Sequence, residues 1–389
     1  MLGRITSLIT SVAALAATIL VAGPVAASSR QAATAAPGPA RPGTVVSAQQ
    51  LPTALWLPGT RHAHRLRYLS TSWDGSRTVV SGAVFLPEGR RPTGGWPIIS
   101  WAHGTVGVAD VCAPSTAGRS PRDIEYLSAW LAAGYAVVAT DYEGLGTPGP
   151  HPYINGPSAA HATIDMVRAA RQVDRSLSRS WAVVGQSQGG HAALWTAAVH
   201  ARYAPELNFR GAISTAPPTQ FQATVAALPP LQPAAAATSV LFIIASGIRA
   251  TNSDVDLRNY FTETGLSLLH MAETSHCLDT LGTVIAARGL TNNDVLTDMT
   301  ALARMIALQA SQEIPIQRYT APVYIAQGAA DTTVIPAMTQ RTAQELAAAR
   351  TDVTFTLYPG ADHDGVLRAA LPDLLTWTAD RFDRAPAPH

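Results

Sequence analysis

From residue 77 onward, short apolar runs alternate with longer segments that have helical spacing. Apolar and polar residues alternate over 77–86, which predicts a strand with one buried face. Further strands are predicted at 97–102, 135–140, 181–185, 209–215, 321–326 and 353–358. Helices are predicted at 124–133, 158–175, 191–202, 337–349 and 366–381. Apolar strands separated by helices predict an α/β fold, with a mostly parallel central sheet covered on both faces.

The alternation stops at Pro217-Pro218 and resumes near residue 320. We therefore predict that residues 45–216 and 320–389 form one core and that 217–319 is an inserted, mainly helical subdomain. The insertion contains the apolar run Val240–Ile244. This run either lines an apolar substrate pocket or forms the core of the insertion itself. If it lines a pocket, smaller side chains at Phe242 and Ile244 would change the preferred size of the substrate.

The first residues have the pattern of an export signal. Arg4 precedes an almost unbroken apolar run from Ile5 to Val21, and small residues suited to cleavage follow at Val25-Ala26-Ala27. We predict a signal peptide over 1–27, a flexible leader rich in Ser, Ala, Pro and Gly over 28–44, and a secreted protein. A retained membrane anchor is the alternative, but the run is short for a span and no basic cluster follows it.

Composition excludes several classes of function. All 27 basic residues are arginine, so mechanisms that need a lysine amine, such as Schiff-base chemistry or a Walker A site, are ruled out. A formal net charge of +1 gives no indication of nucleic-acid binding. The pairs His62-x-His64 and His276-Cys277 have no matching partner cluster for a zinc site, and we expect neither a metal nor a cofactor.

The most informative motif is Gly185-Gln186-Ser187-Gln188-Gly189, which lies between an apolar strand and a helical pattern. Gly-x-Ser-x-Gly in this setting is typical of a nucleophile elbow, a sharp turn that exposes a serine hydroxyl at the carboxyl end of a strand. The glycines would avoid collisions across such a turn. The alternative is an ordinary glycine-rich turn.

A serine hydroxyl needs a base to become a nucleophile, and in this arrangement the chain order is Ser, then Asp or Glu, then His. Asp331 follows the predicted strand 321–326, and His363 follows the predicted strand 353–358. We predict that Asp331 orients His363 and that His363 activates Ser187. Asp362 and Asp364 are alternative acids, and either Asp331 or His363 could instead be an ordinary loop residue.

An acyl-transfer site also needs two backbone N–H donors for the developing oxyanion. We predict that Gln188, directly after the nucleophile, supplies one and that Thr105 supplies the other. Thr105 lies in His103-Gly104-Thr105-Val106-Gly107, after the predicted strand 97–102, where Gly104 lets the backbone approach the substrate. His103 is expected to brace this loop. The alternative is a plain glycine turn.

The chain has two cysteines, Cys112 and Cys277. A pair of cysteines far apart in an exported chain predicts a disulfide, which would close a long loop and stabilise the fold by roughly 4–5 kcal/mol. Two free buried thiols are the alternative.

Several of these motifs together resemble the secretory lipase family of lipase A-type enzymes, within the α/β-hydrolase superfamily. The resemblance extends over about residues 60 to 382. It is carried by His103-Gly104-Thr105, Gly185-Gln186-Ser187-Gln188-Gly189, Gly328-x-x-Asp331, His363, Asp141-Tyr142-Glu143-Gly144-Leu145-Gly146, Gly149-Pro150-His151-Pro152-Tyr153 and Asp165-x-x-Arg168-Ala169-Ala170.

The resemblance implies an α/β-hydrolase fold with a helical cap at 217–319, and hydrolysis of esters, often acyl glycerols. A bond between Cys112 and Cys277 would then tether the cap to the core beside the site and limit its movement. We therefore expect a secreted serine esterase or lipase, with an ester or lipid substrate, no stable membrane insertion after signal removal and at most transient contact with a lipid interface. Acyl transfer to another acceptor, peptide hydrolysis and a non-catalytic binding role are the alternatives.

Overall fold

The computed structural model describes residues 41–383. The predicted signal peptide and most of the predicted leader lie outside the described residues. None of the helices in the described part is long and apolar enough to cross a membrane.

Within residues 41–383, nine strands, numbered along the chain, form a single sheet in the order β1-β2-β3-β5-β4-β6-β7-β8-β9. The first three strands and β5 pair antiparallel, and all pairings from β5 through β4 to β9 are parallel. The predicted mostly parallel sheet is therefore confirmed. The strands are β1 Val45–Gln50, β2 Thr60–Thr71, β3 Arg77–Pro87, β4 Trp96–Ala102, β5 Ala136–Glu143, β6 Leu177–Gln186, β7 Asn208–Thr215, β8 Val323–Gly328 and β9 Val353–Tyr358.

Two strands were not predicted. The edge strand β1 is almost wholly exposed, and β2 mixes arginine and histidine with its buried residues, so neither has the apolar run of a doubly buried strand. Both belong to the antiparallel part of the sheet, where one face or an edge can meet water.

Helices cover both faces of the sheet. Helices α3, α4 and α11 pack on one face, whereas α2 and α12 pack on the other. Adjacent residues of a strand point to opposite faces, so Val183 of β6 lies in the first core cluster and Val184 in the second. These core helices, with the four-residue helix α1, are α1 Pro114–Ala117, α2 Pro121–Ala132, α3 Gly156–Val173, α4 Gln188–Tyr203, α11 Pro336–Ala348 and α12 Gly365–Asp383.

Helices α2 and α3 begin two or three residues before their predicted first residues, and a polar side chain caps each of them. The Ser120 side chain accepts a hydrogen bond from Asp123 N at 3.2 Å, and Pro121 occupies the first turn of α2. Asn155 caps α3 in the same way through Ser158 N, at 3.1 Å. These side chains satisfy N–H groups that a helix start would otherwise leave unpaired.

The insertion, residues 217–319, consists of short helices joined by loops and two isolated bridges. It has a hydrophobic core of its own, in which Phe242 is fully buried and Ile244 is nearly so. The run Val240–Ile244 lies in α6, where residues 241–244 pack into this core and Val240 is exposed. Its helices are α5 Phe221–Ala227, α6 Ser239–Thr251, α7 Glu263–Thr274, α8 Leu278–Ala287, α9 Asn292–Val295 and α10 Ala301–Leu308. Among the described residues, 3-10 turns also occur at Thr53–Leu55, Asp110–Cys112, Leu257–Asn259 and Gln309–Gln312.

Candidate active site

Ser187 lies in a strained turn between β6 and α4. Its backbone has φ 55° and ψ −119°, a conformation that a residue with a side chain rarely adopts. The turn is held because Ser187 N donates to Thr215 O at 2.8 Å and His191 N donates to Ser187 O at 3.1 Å. The carboxyl end of β6 thereby presents the serine as a nucleophile elbow would.

Side chains at the two glycines of the elbow would collide with different neighbours. A Cβ atom at Gly185 would lie 2.0 Å from Gly189 O, so this contact crosses the turn as predicted. A Cβ atom at Gly189 would instead lie 1.8 Å from Ala102 O, at the end of the neighbouring strand β4. The second glycine is therefore required by the close approach of α4 to β4, which sequence spacing does not reveal.

Asp331 and His363 form a hydrogen-bonded pair. The Nδ1 atom of His363 lies 2.8 Å from Oδ2 of Asp331. The other carboxylate oxygen accepts the backbone N–H groups of Thr333 and Val334, each at 2.8 Å. Burial raises the pKa of Asp331, but the bonds from His363, Val334 and Thr333 outweigh it, so the net pKa lies below its usual value. The carboxylate is thus charged at neutral pH and can hold an imidazolium.

The alternative acids have other partners. Asp362 Oδ1 accepts the N–H of Gly365 at 2.7 Å, at the beginning of α12. Asp364 is exposed and forms an ion pair with Arg122. The carboxylate that contacts the His363 ring is that of Asp331.

Gln186 brings the His363 loop to the elbow. Gln186 directly precedes Ser187, and its side-chain Nε2 donates to His363 O at 3.2 Å. Within residues 41–383, the Ser187 hydroxyl and the His363 ring do not share a hydrogen bond. Catalytic hydrogen bonds often shorten only in the substrate complex, so a hydrogen-bonded triad of Ser187, His363 and Asp331 stays a prediction.

The two predicted oxyanion donors have free backbone N–H groups. Neither Thr105 N nor Gln188 N donates to a protein acceptor within the described range 41–383. Gln188 is the first residue of α4, where N–H groups have no partner inside the helix. A Cβ atom at Gly104 would lie 2.5 Å from Oε1 of Gln186, so glycine permits this close approach.

His103 has the surroundings of a bracing residue. Its Nδ1 donates to Gly104 O at 2.6 Å, and Tyr142 OH donates to His103 O at 3.0 Å. Burial lowers the pKa of the imidazole below its ordinary value. A neutral ring with these bonds holds the loop, as expected of a bracing residue.

Sequence reasoning missed two glutamines of the site. Gln186 contacts the His363 loop, and Gln327 donates from Nε2 to Oδ2 of Asp331 at 2.9 Å. Each lies in the buried carboxyl-terminal part of a parallel strand, β6 or β8. A polar side chain at such a position is costly unless it is bonded, and that signal could have identified both.

The disulfide between Cys112 and Cys277 is confirmed, with a Cα–Cα distance of 5.5 Å. It joins the 3-10 turn Asp110–Cys112 to the residue before α8. Beside it, Leu278 N donates to Val106 O at 2.9 Å. The insertion is thus linked covalently, and by a backbone hydrogen bond, to the loop that contains Thr105.

Loss of this disulfide should destabilise the protein. The variant Cys112→Ser/Cys277→Ser should lose about 4–5 kcal/mol of unfolding free energy, because the bond closes a loop with a sequence separation of 165. Chemical denaturation of the wild type, oxidised and reduced, measures this loss. The double variant is the control, since reductant should not change its midpoint; an unchanged wild-type midpoint on reduction would contradict the prediction.

A cavity of about 530 Å³ lies between the insertion and the core. Its wall includes Ser246, Arg249 and Glu273 from the insertion and His151 from the core. The run Val240–Ile244 does not line this cavity, so the structure favours the interpretation that the run is core of the insertion. In the part of the chain that the structure covers, no group of three or more His, Cys, Asp or Glu side chains could hold a metal ion.

Buried histidines should make stability depend on pH. Burial lowers the pKa values of His151, His191 and His200 to about 4, from 6.5 for a free side chain. Because these pKa values are lower in the folded state, the unfolded chain binds more protons, and stability is lost as pH falls from about 6.5 to about 4. Each histidine contributes on the order of 3 kcal/mol over that window.

Calorimetry should therefore show Tm falling steeply from pH 6.5 to pH 4. The His200→Gln variant serves as the control, and its Tm should fall less over the same range. A wild-type Tm that stays level between these pH values would disprove the assignment.

The family model for secretory lipases matches residues 118–389. A secreted triacylglycerol lipase of Malassezia globosa is 26% identical over 88% of this chain and 76% of its own length. A probable inactive lipase of Mycobacterium tuberculosis is 28% identical over 45% of this chain, which spans only 42% of that protein.

Solved structures show the same fold. Lipase A of Candida antarctica, in its closed state, matches with a TM-score of 0.71 and 21% identity, over 90% of this chain and 84% of that one. A rice cell wall degrading esterase from Xanthomonas oryzae matches with a TM-score of 0.68 and 18% identity, over 88% and 98%. Both similarities support an α/β-hydrolase fold for this chain.

Proposed function

This chain belongs to the secretory lipase family, among lipase- and esterase-type hydrolases, and we propose that it cleaves carboxylic esters through an acyl-enzyme on Ser187. The observation that carries the proposal is the 2.8 Å bond between His363 and a charged, buried Asp331, on loops next to a serine in an elbow conformation. Nucleophile, base and orienting acid occur in the chain order that this mechanism requires.

In the proposed mechanism, His363 Nε2 accepts the proton of Ser187 Oγ while Oγ attacks the ester carbonyl carbon. The N–H groups of Thr105 and Gln188 bind the resulting oxyanion. His363 then donates the proton to the departing alcohol as the carbon–oxygen bond breaks, which leaves an acyl group on Ser187. Water repeats the sequence, with His363 as base, and releases the carboxylic acid.

The insertion is proposed to act as a cap over the site. It has its own hydrophobic core and is linked to the Thr105 loop by the disulfide. Family membership and the secreted lipase of Malassezia globosa support an extracellular protein with an ester or lipid substrate. We propose acyl glycerols as the natural class and transient contact with a lipid interface.

Labelling by a fluorophosphonate probe tests the proposal, because such probes modify only activated serines. Mass spectrometry should place the label on Ser187, and Ser187→Ala should prevent labelling. A parallel screen of p-nitrophenyl and glycerol esters of increasing chain length should show turnover of ester substrates. Folded protein that neither takes the label nor turns over any ester would indicate the inactive alternative and overturn the proposal.

The same screen, run above and below the solubility limit of each ester, separates the two enzyme types. A lipase should show a rate increase where the substrate forms an interface, whereas an esterase should follow simple saturation.

A further inference from the structure

Both proposed oxyanion donors have side chains bonded to one short stretch of chain, His151-Pro152-Tyr153, called here the 151–153 segment. The Nε2 atom of Gln188 donates to Nε2 of His151 at 2.9 Å. The hydroxyl groups of Thr105 and Tyr153 share a hydrogen bond of 2.7 Å. Thr105 and Gln188 belong to different elements, so the 151–153 segment connects the two halves of the proposed oxyanion site.

The segment is fixed to the core on one side. His151 Nδ1 donates to O of Glu143, the last residue of β5, at 2.7 Å. The backbone of Pro150 and His151 passes close to Gly144. A Cβ atom at Gly144 would lie 2.5 Å from His151 N. Gly144 also has φ +71°, so glycine suits this position on two counts.

The insertion contacts the segment on the other side. A Cβ atom at Gly247, in α6, would lie 2.6 Å from the Cβ of Tyr153 and 2.9 Å from its carbonyl oxygen. The 151–153 segment is therefore held between the turn after β5 and a helix of the insertion. A segment held on both sides can position the groups that it bonds.

The protonation states agree with these bonds. Burial lowers the pKa of His151 to about 4, so the ring is neutral at working pH and has one N–H group. That N–H is used by Glu143 O, which leaves Nε2 as an acceptor for the Gln188 amide. Burial raises the pKa of Tyr153 to about 12, so its hydroxyl keeps its proton.

We propose that the 151–153 segment is a positioning clamp: His151 holds Gln188 and Tyr153 holds Thr105, so that their backbone N–H groups converge on one oxyanion. His151 and Tyr153 are positioning residues, because each acts through another residue and not on the substrate. This inference rests on the proposed ester hydrolysis and assigns a role to residues that the mechanism itself does not use.

The first test removes the Tyr153 hydroxyl. Tyr153→Phe should lower kcat roughly 10- to 100-fold with little change in KM, less than the ~10²–10³-fold loss of a whole oxyanion donor. Thr105→Val, which keeps the backbone N–H, should give a similar loss. The double variant should be no worse than either single variant, because both remove the same bond.

Tyr319→Phe is the matched control. Tyr319 is also a buried tyrosine with one strong bond, from its hydroxyl to Pro315 O at 2.8 Å, in the core away from the site. The Tyr319→Phe variant should have a lower Tm and an unchanged kcat. An equal loss of kcat in the control, or losses that multiply in the double variant, would overturn the clamp.

The second test separates the two bonds of His151. His151→Gln can still present an acceptor oxygen near the position of Nε2, whereas His151→Asn keeps only a donor near Nδ1. We expect Gln to retain more of kcat than Asn. For all these variants, the affinity of a trifluoromethyl ketone inhibitor, which mimics the oxyanion, should fall in proportion to kcat/KM.

Failure of the clamp and failure of the proposed hydrolysis give different results. If Ser187→Ala is inactive while Tyr153→Phe and His151→Asn both keep wild-type kcat, the clamp is wrong and the hydrolysis stands. If Ser187→Ala keeps wild-type turnover, the proposed function is wrong and the clamp falls with it.

Discussion

Ser187→Ala should lose ester hydrolysis by on the order of 10⁵-fold or more, because the acyl-enzyme cannot form without the nucleophile. What remains should be the acceleration that binding and oxyanion stabilisation supply, about 10³–10⁴ over water. The substitution adds no volume to the turn and leaves the bonds of Ser187 N and O in place. The measurement is kcat/KM with a short p-nitrophenyl ester, on enzyme purified away from host esterases.

Ser253→Ala is a suitable control because Ser253 is an exposed serine of the insertion. It should keep wild-type kcat/KM, and both variants should unfold at the wild-type temperature. Near wild-type hydrolysis by folded Ser187→Ala would show that another group is the nucleophile.

Asp331→Asn should reduce kcat by about 10⁴-fold, since an amide no longer stabilises the imidazolium and favours the wrong tautomer of His363. The asparagine oxygen can still accept the N–H groups of Thr333 and Val334, so the loop should keep its conformation. Stopped-flow or steady-state kinetics with an activated ester measures the loss.

Asp362→Asn and Asp364→Asn are matched controls from the loop of His363 itself. Asp362 caps a helix and Asp364 pairs with Arg122, so each change should reduce kcat less than ten-fold. If Asp362→Asn caused the large loss and Asp331→Asn did not, the acid would have been assigned to the wrong residue.

The sequence predicted features that depend on local pattern. Apolar runs located β4 to β8 because a strand buried on both faces needs few polar residues. The edge strand β9 is mostly half-buried, and its own apolar residues located it. Turn chemistry located Ser187, Asp331 and His363 at strand ends, where the fold places reactive groups. The disulfide followed from two cysteines in an exported chain.

Other features could be recognised only in the tertiary structure. The strands β1 and β2 are exposed or mixed in character, so periodicity gives little signal for them. The run Val240–Ile244 was compatible with a pocket lining or with core, and only packing showed that residues 241–244 are buried in the insertion while Val240 is exposed. A hydrophobic side chain is expected to be buried, but its hydrophobicity alone does not predict which surface it packs against.

The sequence by itself determined which residues can perform the chemistry: a serine between glycines, an aspartate and a histidine after later strands, and two cysteines. Only the tertiary structure decided which groups meet. The bond to His363 identified Asp331, and not Asp362 or Asp364, as the carboxylate that contacts its ring. Folding also brings His151 to Gln188 and Tyr153 to Thr105. The physical reason is that residue type and spacing set local conformation, whereas contacts between residues distant in sequence depend on how the sheet and its helices pack.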